Sequence, residues 1–142
     1  MVTFAAMSPG DAVSQARGTR IAPWLSVRSG SGAVEYYRAA LGADELERVE
    51  AEPGQIVVAR LSIDGAEFWI SEDPEASPPA GGGGPIRMIL TVADPDAVFA
   101  RAIAAGATVV AAIYEAHGWR VGRLCDPFGH HWEIGRPLSR AA

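Results

Sequence analysis

Asp126-Pro-Phe-Gly-His-His-Trp-Glu-Ile134 is the stretch on which the reading of this chain turns. Pro127 holds its own φ near the value a turn requires, and Gly129 accepts a positive φ without strain. The segment therefore reads as a tight turn, entered from a strand at Arg123-Leu-Cys125 and left along a second strand. On that second strand side chains alternate. His131 and Glu133 share one face, while His130, Trp132 and Ile134 share the other. Imidazole and carboxylate on one face fit three uses: a metal site, an acid/base pair or a polar lining.

Working outward, the same plan occurs twice. Ile-Ala-Pro-Trp-Leu-Ser-Val at 21–27 reads as a strand, followed by an Ala-rich helix that ends at Gly42-Ala43. Ile-Arg-Met-Ile-Leu-Thr-Val at 86–92 reads as a second such strand, followed by a helix that ends at Gly106-Ala107. Asp94 is a good N-cap with Pro95 at the first helical position, and each glycine suits the residue just past a helix end. Ala33-Val34 and Ala97-Val98 each lie nine residues before their Gly-Ala, which marks an internal repeat. After the first helix come a short strand near 46–50, a strand over 55–63, an Asp64-Gly65 hairpin turn and a strand over 66–71. After the second come strands from Thr108 to about Ile113, over 120–125 and over 129–134. Each module is β-α-β-β-β. One helix covers only one face of such a sheet, so the modules must share a core or pair with another chain.

Gly81 to Gly84 and the prolines around them cannot hold a helix or a central strand, which makes 73–85 a linker. The expected organisation is a flexible arm over 1–19, a first module over 20–72, the linker, and a second module over 86–136. The 142 residues carry a net charge of −5, which argues against nucleic acid or an anionic membrane as partner. No apolar run reaches the roughly 20 residues of a transmembrane helix, and the N-terminus lacks a secretory pattern. The lone Cys125 fits a reducing cytoplasm, and a structural thiol is its expected role.

The duplicated β-α-β-β-β, the Glu-Tyr-Tyr-Arg-Ala-Ala-Leu-Gly-Ala stretch at 35–43 and the Asp-Pro-Phe-Gly-His-His-Trp-Glu-Ile ending resemble the vicinal oxygen chelate superfamily. That superfamily includes glyoxalase I, extradiol dioxygenases, fosfomycin-resistance enzymes and bleomycin-binding proteins. The motifs at 21–27 and 126–130 are most similar to its PhnB-like branch. The resemblance spans about residues 20–136. It implies an α+β fold in which two tandem βαβββ modules form a cupped mixed sheet. In glyoxalase-like members a divalent metal sits in the cup, held by His and Glu side chains from the first and last strands of each module. Those positions fall here at Ala22, at or beside Trp69, at Arg87 and at Glu133. Only Glu133 offers a ligand atom, because alanine has none, an indole N–H only donates and guanidinium stays cationic. The expectation is that no cofactor is bound. A non-canonical divalent site from His131, Glu133 and His117 is the alternative.

Several residues are singled out for the cup. Arg87 and Glu133 are expected to pair across it; Arg87 alternatively awaits an anionic ligand. By parity Trp24 and Trp69 face the cup with Ala22, Ser26, Ile89 and Thr91, as the wall of an organic-ligand pocket or as filler. Trp119 belongs to His117-Gly-Trp-Arg120, read as a loop that could overhang the cup, with His117 solvated. Trp132 is read as core, His130 as structural or exposed, and at least one of Tyr36 and Tyr37 as helix–sheet packing. Three functions follow. The first is a metal-free binder of a small organic molecule, comparable to bleomycin-resistance proteins. The second is a metal-dependent lyase, isomerase or dioxygenase of the glyoxalase kind. The third is a metal-free enzyme with Glu133 or His131 as catalytic base. Edge strands and uncovered sheet faces make a homodimer the expected assembly, with modules paired within or between chains.

Overall fold

The computed structural model describes residues 18–77 and 84–139. Residues 1–17 of the expected arm and 78–83 of the expected linker lie outside the described residues. The first module runs β1 (Trp24–Val27), α1 (Gly30–Leu41), β2 (Asp44–Glu52), β3 (Gln55–Ile63) and β4 (Ala66–Glu72). The second runs β5 (Met88–Thr91), α2 (Pro95–Ala104), β6 (Thr108–Ala116), β7 (Trp119–Cys125) and β8 (His131–Pro137). Among the described residues no helix is long and apolar enough to cross a membrane.

Local chemistry sets the element boundaries. Ser29 Oγ accepts from the Gly32 N–H at 3.0 Å and starts α1, while Gly42 ends it in the left-handed region at φ 68°. Asp94 Oδ1 accepts from the Ala97 N–H at 3.1 Å, with Pro95 at the first position of α2. Gly30 lies so close to β3 that a Cβ there would sit 1.8 Å from the Ile56 carbonyl oxygen. Asp64-Gly65 makes the expected two-residue hairpin turn, both residues at positive φ. The opening strands are shorter than their apolar runs. Pro23 has no N–H for the ladder, so pairing begins at Trp24, although the Pro23 carbonyl still accepts from the Trp69 N–H. Conversely, β2 and β6 are longer than expected: pairing runs from Asp44 to Glu52 and from Thr108 to Ala116.

Both modules build a four-stranded mixed sheet of the same topology, with strand orders β1-β4-β3-β2 and β5-β8-β7-β6. The first strand pairs in parallel with the fourth and the rest are antiparallel. Register makes the repeat exact enough to align residues. Trp69 is flanked by Trp24 and Arg60, with Glu47 beyond Arg60; Glu133 is flanked by Ile89 and Arg123, with Ala111 beyond Arg123.

The two helix-covered faces meet in a shared core. It joins Val27, Tyr37, Leu61, Phe68 and Ile70 of the first module to Leu90, Leu124, Trp132 and Ile134 of the second. Tyr37, Phe68 and Trp132 pack ring against ring, with centroids 5.2 to 5.8 Å apart. Each buried side chain of this size stabilises the fold by about 2–3 kcal/mol. The helices also touch directly, where Arg101 Nε donates to the Ala39 carbonyl at 2.7 Å. The opposite face of each sheet stays open. Trp24 is 55% exposed and Ile89 66% exposed on those faces.

Candidate functional site

The quoted turn is first of all a seam between modules. Asp126 is buried, and its carboxylate accepts four hydrogen bonds. Oδ1 takes the Phe128 and His130 backbone N–H groups at 2.9 and 3.0 Å; Oδ2 takes Trp132 Nε1 at 2.9 Å and the Tyr37 hydroxyl at 2.5 Å. A buried carboxylate needs that many donors to offset its desolvation. Burial, and then the charge of Asp126, hold the Tyr37 hydroxyl well above the usual phenol range, so it remains a donor. Gly129 takes φ 92° to close the turn. His130 Nε2 then reaches the Ser26 carbonyl oxygen at 2.8 Å, and Arg28 donates to the Pro127 carbonyl at 3.2 Å. The turn is thereby bound to β1 of the other module.

On the open face of the first sheet, Trp24 and Trp69 stack with centroids 5.9 Å apart and planes 22° from parallel. Trp24 Nε1 donates to Ser71 Oγ at 2.8 Å, which holds the outer indole in place. Arg60, only 3% exposed, lies over the Trp69 ring at 5.8 Å. Its charge is fully matched: Nε meets Glu47 at 2.7 Å and a terminal nitrogen meets Glu67 at 2.9 Å. Arg20 adds a second cation to Glu67 at 3.2 Å. Arg20, Ala22, Trp24, Arg60, Glu67 and Trp69 surround a cavity of about 530 Å³.

The open face of the second sheet is differently filled. Arg87 Nε lies 3.1 Å from Glu133, the cross-cup pair anticipated for these two residues. Arg123 Nε donates to His131 Nδ1 at 3.0 Å. Because guanidinium has no acceptor, His131 Nδ1 must be the lone-pair nitrogen, and the neutral ring carries its proton on Nε2. Burial, and then the Arg123 charge, lower the His131 pKa and favour that neutral ring. This arrangement opposes a general-base role: one nitrogen is occupied and the other is protonated. Cys125, half-buried beside His131 in register, has its thiol pushed up by burial and by Asp126, as suits a structural thiol.

The residues selected from sequence are thus gathered in groups. Trp24 and Trp69 stand together, Arg87 and Glu133 stand together, and His131 joins Trp24 along a second cavity of about 370 Å³. Arg87 lines another cavity of about 520 Å³, with Ile86, Ile89 and Pro23. Trp119 is a correction. His117 and Gly118 form a two-residue turn at φ 53° and 80°, so Trp119 is already in β7 and does not belong to an overhanging loop. It pairs with Pro137, six residues and about 20 Å along the strand from the His131 end. Trp132 is core and packs on Tyr37 and Phe68.

The positions that would hold a divalent cation do not fit one. Ala22 has no donor atom, Trp69 is stacked on Trp24 beneath Arg60, and the Glu133 carboxylate is engaged by Arg87. Among the described residues no three His, Cys, Asp or Glu side chains gather in metal-binding geometry. His117, the third member of the alternative set, sits in the β6–β7 turn at the far end from His131.

Sequence reasoning passed over Arg60, Glu47 and Arg123. A signal existed for Arg60, since a charge inside the apolar run of β3 must be matched to be buried. No comparable signal marked Arg123, whose neighbours are set by register across three strands.

The chain was compared with known proteins. Residues 25–135 match a family model described as a glyoxalase-like domain. An uncharacterized protein of Mycobacterium tuberculosis is 39% identical over 126 residues, covering 83% of this chain and 74% of that protein. The crystal structure of TioX from Micromonospora sp. ML1 superposes with a TM-score of 0.69 at 30% identity, covering 85% of this chain and all of that one. The fosfomycin resistance protein FosX from Listeria monocytogenes shares the fold, with a TM-score of 0.66 at 14% identity over 85% of this chain and 94% of its own.

Proposed function

Since the chain belongs to the glyoxalase-like domain family of the vicinal oxygen chelate superfamily, we propose that it binds a small organic molecule on that scaffold without the usual divalent metal. The observation that carries this reading is the Trp24–Trp69 stack. An indole 55% exposed, pinned by Ser71 and backed by a second indole, is a preformed apolar wall beside a cavity of about 530 Å³. Its neighbours are charged but internally matched, so a ligand there meets a flat aromatic surface with a neutral polar rim. On the motifs at 21–27 and 126–130 we assign the chain to the PhnB-like branch, and on its lone cysteine to a reducing cytoplasm.

A second copy of the chain completes the proposal. The open faces expose Trp24, Ile89 and Tyr114, apolar surface that association would cover. Light scattering should give a homodimer.

The test is a thermal-shift and tryptophan-fluorescence screen of planar organic compounds against the wild type and Trp24→Ala. Hits are expected to quench indole emission and to lose most of their affinity in the variant. Elemental analysis of protein purified without chelator should find no stoichiometric metal. A bound transition metal, or turnover restored by Ni, Zn, Mn or Fe, would replace this reading with the glyoxalase-type enzyme.

A further inference from the structure

We infer that Arg123 and His131 form an anion-recognising end to the cavity beside Trp24, so that the ligand of this protein is an organic oxyanion with a flat apolar body. The inference rests on the binding function proposed above and adds the chemical class of the ligand.

The internal repeat carries the argument. Arg60 and Arg123 occupy the same position on the third strands of their sheets, each across from the central residue of the fourth strand, Trp69 or Glu133. Arg60 is neutralised by two carboxylates, Glu47 on the second strand and Glu67 on the fourth. The register equivalent of Glu47 is Ala111, and that of Glu67 is His131. Both carboxylates are therefore missing from the second module. Glu133, the acid across from Arg123, is held by Arg87. Arg123 makes a single hydrogen bond among the described residues, through Nε to a neutral imidazole. Its terminal nitrogens have no partner there. Arg87, Arg123 and Glu133 together leave this face with one positive charge in excess.

His131 turns that charge toward the cavity. Its Nδ1 is filled by Arg123, so Nε2 presents a fixed N–H. The residue is only 6% exposed, yet no buried side-chain polar atom among the described residues lacks a partner. Nε2, which has none, must therefore be reachable from outside, and His131 lines the 370 Å³ cavity with Trp24, Ser26, Met88 and Phe128. A donor that cannot accept, backed by an unmatched guanidinium one ring away, selects a carboxylate or phosphate oxygen over a neutral group. Trp24, which lines both this cavity and the one of about 530 Å³, offers the flat face for the body of the same ligand.

The experiment uses 2-naphthoate and the neutral 2-naphthamide as probes, measured by calorimetry and tryptophan quenching at pH 8. The wild type should bind the naphthoate about tenfold or more tightly than the amide, the scale of a charge-assisted hydrogen bond. Arg123→Gln should abolish that preference. Ala111→Glu, which restores the acid found beside Arg60, should do the same with the guanidinium still in place. Arg123→Lys should keep part of the preference, and melting curves will show that each variant is folded. Equal binding of both probes by the wild type, or a preference that survives both Arg123→Gln and Ala111→Glu, overturns the inference alone. Binding of neither probe, or full binding of both by Trp24→Ala, overturns the proposed pocket and the inference with it.

Discussion

In the first module the arginine at the centre of the open face is enclosed by two glutamates and an indole; in the second, the arginine at the same register position faces an alanine and a neutral histidine. The backbones around them are alike in strand order and pairing sense. The side chains differ, and they divide two tasks. The closed cluster around Arg60 holds a sheet face rigid behind an aromatic wall. The open row of Arg87, Glu133, Arg123 and His131 leaves charge and a hydrogen-bond donor unspent. A duplicated scaffold can thus fix an aromatic wall with one copy and leave charge free in the other.

The contrast can be broken most forcefully at Arg60. Arg60→Ala leaves Glu47 without its cation and Glu67 with Arg20 alone, and should lower unfolding free energy by about 3–5 kcal/mol, measured by urea denaturation. Arg123→Ala, by the same measurement, should cost less than about 1 kcal/mol, because no carboxylate depends on it. Similar losses for the two variants would end the division between closed and open modules.

A smaller effect tests the seam that joins them. Tyr37→Phe removes one of four donors from the buried Asp126 and should cost about 1–3 kcal/mol. The loss should appear in a single cooperative transition, since Tyr37 and Asp126 belong to different modules. Two separate transitions would show that the modules fold independently of the shared core.

The smallest expected effect is a pH dependence confined to the second module. The His131 pKa is lowered in the folded state, so over the range between that value and the ordinary one of about 6.5 the unfolded chain binds more protons. Stability must therefore rise with pH there, and this contribution is lost as pH falls below about 6.5. Urea midpoints at pH 8 and pH 5 should differ less for His131→Gln than for the wild type. NMR titration of the His131 ring should show its pKa moving upward in Arg123→Gln; no movement would remove the Arg123 charge from the account.

Much of this molecule was legible before any coordinates. Asp94-Pro95, Gly42 and Asp64-Gly65 act through their own backbone preferences, which do not depend on distant residues, and each sits where that chemistry puts it. The parity that set Glu133 and His131 apart from Trp132 and Ile134 is equally local. The loop assigned to 117–120 failed for a related reason. His117-Gly118 suffices for a turn when both residues take positive φ, a conformation uncommon outside glycine even though histidine adopts it more readily than most residues.

The sequence by itself determined the duplicated β-α-β-β-β plan and the turn at Asp126, because these follow from residue type and spacing. Only the tertiary structure decided that Asp126 is a buried seam to Tyr37, that Trp24 and Trp69 stack, and that Arg60 is matched while Arg123 is not. Those outcomes depend on which strands lie side by side and in what register. Residues as far apart in the chain as Glu47, Arg60 and Glu67, or Ala111, Arg123 and His131, become neighbours only when the sheets close.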